Sequence, residues 1–408
     1  MHLLKIRIAI SILFLASHPL VQAQEAAVLM MPTPAGENTG LSRLITDAKG
    51  RVHLSWVETK EAPSSLRYSL HYATLTNSKW SAPGLISQGD DWFVNWADFP
   101  FLAVNDKGMT AHWLSKSSLD TYDYDVKATF FDQTTDSWSE ARIIHKDGVS
   151  AEHGFVSMFP MRGGRTFISW LDGRNTKLEK SHADGLTMSG GMTLRAGIFN
   201  GDGETLEEWA LDDLTCDCCQ TSAAMSARGP VVVYRDRSAH EIRDIYITRF
   251  VDDSWSIPVP VYSDHWKIAG CPVNGPSVAA RANMVAVTWF TAKDDHPKVS
   301  LAISHDDGET FGVPLTVADG STIGRTGITI LDSGDIAISW LDASDSDAQL
   351  KLGLYSPKGG LLGMVKVVDT KASRRSGFPV IASRENDVYV TWTDLGDKQQ
   401  VKVARVRF

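Results

Sequence analysis

The residues best suited to chemistry lie in a few short stretches. The densest spans 234–244, where Tyr234, Arg235, Asp236, Arg237, Glu241, Arg243 and Asp244 bring acids and bases close enough to shift one another's pKa values and move protons. The bland reading of the same run is an ion-pair lattice that fixes a long loop. Asp172 and Arg174 form a smaller set of this kind. Tyr234 beside Glu241 offers a nucleophile with an activating carboxylate, or else replaces a packed tryptophan. His153, followed by Gly154, is the best single candidate for a base, against the alternative of a satisfied structural histidine. Arg43, Arg325 and Arg375 carry guanidinium groups suited to a carboxylate or sulfate, with Arg174, Arg235 and Arg237 as further donors. Trp92 and Trp96 offer flat faces for stacking on a sugar or peptide.

These residues must be positioned by a repeat. A short strand ending in an aromatic residue returns seven times, at Val52–Trp56, Met109–Trp113, Thr166–Trp170, Val231–Tyr234, Val285–Trp289, Ile336–Trp340 and Val388–Trp392. Its terminal aromatics lie 51 to 64 residues apart, room for one four-stranded antiparallel sheet per period. The fold class predicted is all-β, a seven-bladed β-propeller, with residues 24–408 as one domain. The seventh unit ends after a third strand, Val401–Phe408, and an open edge invites aggregation. The apolar stretch Ala26–Met31 is expected to supply the missing strand. With strands lettered A to D from the channel outward, the D–A and B–C loops share one face and hold nearly all the unusual polar residues. The site is expected there, with Arg43, Arg325 and Arg375 converging at the channel mouth.

The C–D hairpins repeat a second signal. Residues 304–311 read Ser-x-Asp-x-Gly-x-Thr-Phe, in which Ser304 and Asp306 can accept from turn N–H groups, Gly308 can take positive φ and Phe311 can pack beneath a neighbouring sheet. This octapeptide resembles the Asp-box of bacterial sialidases and of the wider Asp-box (BNR-repeat) propellers. The resemblance implies a secreted, sialidase-like protein and a site with three arginines, a tyrosine nucleophile paired with a glutamate, and an aspartate acid/base. The family's early Arg-Ile-Pro motif is missing from the chain, and seven blades are counted where sialidases usually have six.

Residues 1–23 read as a secretory signal, with Lys5 and Arg7 ahead of an apolar run and small residues at the cut site. Export to the periplasm or the medium is expected, with a monomer as the assembly. The formal net charge of -9 and the lack of any Lys/Arg run argue against nucleic acid as a partner, and no later stretch is apolar enough for a membrane span. A glycan or other anionic small ligand is the partner expected, with no cofactor and no metal assigned. In an oxidising compartment Cys216, Cys218, Cys219 and Cys271 are expected to form two disulfides, one tying Cys271 to the triplet and one within it. A metal site recruiting His265 or His153 is the alternative. The function expected is a glycoside hydrolase acting on an acidic glycan such as a sialoside. A non-catalytic glycan- or protein-binding propeller, or a lyase acting on uronates, are the other readings.

Overall fold

The computed structural model describes residues 26–63, 65–176, 179–181, 187–345 and 347–408; the segment read as a secretory signal lies outside them. Among the described residues seven antiparallel sheets of four or five strands follow one another along the chain, with a separate two-stranded ribbon of Glu179–Ser181 and Thr187–Ser189, and the seven-bladed propeller predicted from the repeat is the fold found. The innermost strands are Thr39–Thr46, Leu102–Val104, His153–Pro160, Ser222–Met225, Ser277–Arg281, Thr322–Ile330 and Val380–Arg384. The repeated marker is strand B of each sheet. It is covered on both faces, which is why it reads as a nearly unbroken apolar run: Thr166–Asp172 and Met284–Thr291 are buried at every position.

Seven apolar clusters sit between the sheets, each filled by two adjacent blades. Trp170, Trp289 and Trp340 are fully enclosed in them, and Tyr234 takes the equivalent place in blade four. One cluster joins Val401 and Tyr389 of blade seven to Leu54 and Trp56 of blade one, so the series closes on itself.

The closing strand is the one expected. Ala27–Met31 runs antiparallel to Gln399–Arg407, pairing Ala27 with Arg407 and Met31 with Val403. It completes blade seven as the outermost strand, with Leu29 and Met30 about half exposed on the rim.

The Ser304–Phe311 hairpin has the bonding its sequence suggests. Ser304 Oγ accepts from the N–H groups of Asp306 (3.2 Å) and Gly308 (2.9 Å), and Asp306 takes Thr310 N at 2.9 Å. Gly308 has φ 81° and Phe311 packs into the cluster shared by blades four and five. The outer strand of blade five starts at Leu315 because the hairpin occupies Phe311. Among the described residues no helix is long and apolar enough to cross a membrane.

Candidate functional site

The loop that leaves blade one, residues 90–99, is laid over the channel mouth on the D–A/B–C face. Trp92 anchors its start between blades one and two, stacked on Trp113 (5.3 Å) and Tyr68 (6.3 Å). Trp96 then stacks on Phe378 of the loop before blade seven, with the Arg325 guanidinium 4.8 Å from its ring. The Ala97 carbonyl accepts from Gln220 Nε2 at 2.6 Å, and Asp98 accepts from Phe155 N at 2.8 Å. One loop thus touches blades three, four, six and seven. Beneath it a cavity of about 170 Å³ is lined by the inner strands of six blades and by Phe99 and Phe101, which lead into the inner strand of blade two.

At the edge of this loop lies a compact acid group that the sequence did not isolate. The Tyr124 hydroxyl is 2.7 Å from Glu152 Oε1 and 3.2 Å from Asp98 Oδ2. A single hydroxyl proton can serve only one of the two carboxyls, so the other needs a proton of its own to complete the set. The pKa directions agree. Burial, with repulsion from Glu152, pushes Asp98 up to about 8, and burial, with repulsion from Asp217, pushes Glu152 up to about 7. Asp98 and Tyr124 are fully enclosed while Glu152 is half-buried, so Glu152 is the member that meets solvent. Gly154 permits this packing, because a Cβ there would stand 2.0 Å from Asp98 Oδ2. Beside the group, Phe93 stacks on Tyr124 at 4.1 Å and meets the ring of Tyr122, which is 61% exposed. Asp98 and Glu152 stand in the loops expected to frame the mouth. Tyr124 carried no sequence signal, since nothing local distinguishes it from other aromatics at strand starts.

His153 is enclosed rather than facing the mouth. Its ring stacks on His145 at 3.7 Å, Nε2 lies 2.8 Å from Asp147 Oδ2, and Nδ1 lies 3.1 Å from the Ala151 carbonyl. Arg174 forks onto Asp172 with two 2.7 Å bonds, and Trp170 Nε1 donates to the same carboxylate. Burial raises the Asp172 pKa, but Arg174, His153 and Trp170 outweigh it and hold the carboxyl down at about 2. The satisfied structural histidine is therefore the arrangement seen.

The 234–244 run folds as the ion-pair lattice. Arg237 and Arg243 grip opposite oxygens of Glu241 at 2.7 Å, and Arg237 also reaches Asp217 at 3.0 Å. Arg235 is almost wholly buried and donates to the carbonyls of Asn274, Arg243 and Phe290. The Tyr234 hydroxyl bonds Asp212, not Glu241, and its ring is enclosed, so it stands in the packing place of a tryptophan. Asp236 is pushed up to about 7 by burial and by Asp212.

The expected arginine convergence does not form. Arg43 lies in the channel on the faces of Phe101 (3.7 Å) and Phe99 (5.1 Å), where burial lowers its pKa to about 9. Arg325 is spent on backbone, donating to the carbonyls of Ser373 (3.0 Å), Gly377 (2.9 Å) and Ala372 (3.3 Å) and to Ser376 Oγ (3.0 Å). Arg375 turns outward to Gln399 Oε1. The cause is the 3₁₀ turn Arg374–Ser376, capped by Ser373, in which successive side chains diverge by about 120°. Arg374 is the exposed cation left near Trp96, 5.9 Å from its ring.

The four cysteines are free thiols instead of the expected disulfides, and they are gathered in one place. Cys216 and Cys219 sulfurs are 3.5 Å apart, far beyond a bond of about 2.05 Å. Cys218 joins them, all three within 4.8 Å of one another, while the exposed Cys271 of the next D–A loop lies beside Cys218 and outside that group. His153 is committed to Asp147, His265 is exposed with its backbone N–H on Asp244, and the group of thiols contains no imidazole among the described residues.

Solved structures resemble this architecture across nearly its whole length. A protein of unknown function from Dyadobacter fermentans matches with TM-score 0.50 and 11% identity, covering 96% of this chain and 100% of its own. The α-L-arabinofuranosidase Arb93A of Fusarium graminearum matches with TM-score 0.50 and 10% identity, covering 94% and 98%. The likeness is one of fold. A leech intramolecular trans-sialidase is a looser match, with TM-score 0.47 and 11% identity over 90% of this chain and 68% of its own. No family model and no curated protein matches the sequence.

Proposed function

We propose that this protein is an exported glycoside hydrolase acting on an acidic glycan, such as a sialoside, at the channel mouth. The observation that carries the reading is the Asp98–Tyr124–Glu152 set. A carboxyl with a pKa near 7 that reaches solvent is matched to donating a proton to a glycosidic oxygen at neutral pH. Glu152 takes that role. Tyr124 and Asp98 behind it return a proton through the shared hydroxyl.

Glycoside hydrolysis also needs a second carboxyl beside the acid. Asp217 faces Glu152 closely enough to raise it, and donors on both its oxygens, Met192 N at 3.2 Å and Arg237 Nη1 at 3.0 Å, oppose the burial that raises its own pKa. Tyr122 and Phe93 supply the face for a sugar ring, and Arg374 by Trp96 supplies a cation for an acidic substituent.

Purified protein incubated with a panel of sialosides, arabinosides and uronate polymers, read by product mass, tests this. Release of a saturated sugar, reduced about 10²-fold or more by Glu152→Gln, is the expected result. Binding without any product, or an unsaturated uronate as product, would replace hydrolysis with recognition or elimination.

A further inference from the structure

We propose that Cys216, Cys218, Cys219 and Cys271 form a four-thiolate site for a zinc-class cation, tying the loop before blade four to the loop before blade five. The inference is independent of the glycosidase reading. It starts from distances: with metal–sulfur bonds of about 2.3 Å, the edges of a tetrahedral four-sulfur shell are about 3.8 Å. The Cys216–Cys219 separation of 3.5 Å and the 4.8 Å limit on the triplet fit that edge with small rotations of the side chains. Cys271 lies beside Cys218 in the neighbouring loop, outside the group of three that falls within 4.8 Å, and completes a set of four by turning inward on binding. Four sulfurs alone and no oxygen or imidazole in the group select a soft, thiophilic cation over calcium or magnesium.

Charge supplies a second, separate argument. Arg243 is almost wholly buried; two of its donors go to Glu241, and the third, Nη1, points at the Cys216 sulfur at 3.2 Å. A guanidinium is a strong donor whose burial is costly unless an anion faces it, and a neutral thiol or disulfide sulfur is a weak acceptor. Arg235, on the same side and 2% exposed, is bonded only to carbonyl oxygens and has no carboxylate at ion-pair distance among the described residues. Arg235 is the buried cation left without an anionic partner, and Arg243, already paired with Glu241, adds one donor toward the Cys216 sulfur. A divalent ion held by four thiolates carries two negative charges and would give Arg235 an anionic neighbour. Binding exchanges the thiol protons for the metal and releases them to solvent. The bound ion would fix Asp217, which sits between two of the ligands, and Gln220, which follows the last of the triplet and holds the mouth loop.

The full chain, made in zinc-supplemented medium and purified without chelator, is assayed for metal by mass spectrometry and for thiols by alkylation. About one zinc per chain is expected, with the four thiols protected until a chelator is added. Replacement by cobalt(II) should give intense visible bands and the near-ultraviolet thiolate charge-transfer band of a tetrahedral sulfur site. Cys271→Ser, at an exposed loop position, should fold and lose most of the bound metal, at least about tenfold in affinity. Two intact disulfides on non-reducing digestion, four thiols that alkylate freely in the presence of equimolar zinc, or full zinc content in the Cys271→Ser protein would each overturn the site.

Discussion

Replacing Asp98 by asparagine should flatten the pH dependence of stability on the alkaline side. The Asp98 carboxyl is enclosed and rises from 3.8 to about 8, chiefly by burial. In the unfolded chain it ionises near 4. Between those values the folded state holds a proton that the unfolded state has released, so stability is full at low pH and falls as pH rises toward 8. A shift of about four units at about 1.4 kcal/mol each sets a ceiling of about 5–6 kcal/mol on that loss. With an unfolding entropy near 2 cal/mol/K per residue, a chain of this size moves its Tm by roughly 1 °C per kcal/mol, so the ceiling is about 6 °C. Asparagine keeps an acceptor for Phe155 N and gives Tyr124 a donor, so the variant should fold. Melting followed by circular dichroism at pH 5, 7 and 8.5 makes the comparison. The wild type should lose several degrees more than Asp98→Asn across that range, since Glu152 and Asp236 add smaller losses to both. Parallel curves for the two proteins would mean that Asp98 is ionised in the folded state, and the shared-proton account of the Tyr124 group would fall with it.

Arg325→Ala should cost about 3–5 kcal/mol in denaturant titrations, because it strips donors from the enclosed Gly377 carbonyl and Ser376 hydroxyl of the loop before blade seven, while Arg375→Ala at its exposed position should stay within about 0.5 kcal/mol. Equal effects would contradict the division between them. Deleting residues 26–31 should lower Tm and produce association on size-exclusion chromatography, since the strand Gln399–Arg407 would become an open edge; an unchanged monomer peak and melt would count against the pairing. Tyr234→Phe should cost about 1–2 kcal/mol through the lost contact with Asp212 and leave any glycan turnover intact, whereas abolished turnover would restore the tyrosine as a nucleophile.

The blades were legible because their signals are local and repeated: alternation, an aromatic at the end of each second strand, and turn residues at fixed offsets. The closing strand was legible by elimination, as Ala27–Met31 was the one apolar stretch without a place in another sheet. The site was less legible. The alternating charges of 234–244 look alike whether they face a ligand or one another, and only the fold reveals that Arg237 and Arg243 both spend themselves on Glu241. His153 could not be told from a catalytic base because its stacking partner His145 and its anchor Asp147 lie in a preceding loop. Arg325 and Arg375 were expected to act together, but one short turn separates them. The Tyr124 group is assembled from three separate segments, a combination invisible to any scan of neighbours.

The pairing of Ala27–Met31 with Gln399–Arg407 joins segments some 370–380 residues apart in the chain. During synthesis the earlier partner is therefore made long before the later one, and six complete blades exist by the time the two can meet. Such a long-range contact is slow to find and forms late, so the rate of reaching the native state should be governed by this final zipping step, not by the fast local hairpins. The same geometry works in reverse: pulling on either terminus loads the seam directly, making it the mechanical weak point through which the disc would unravel.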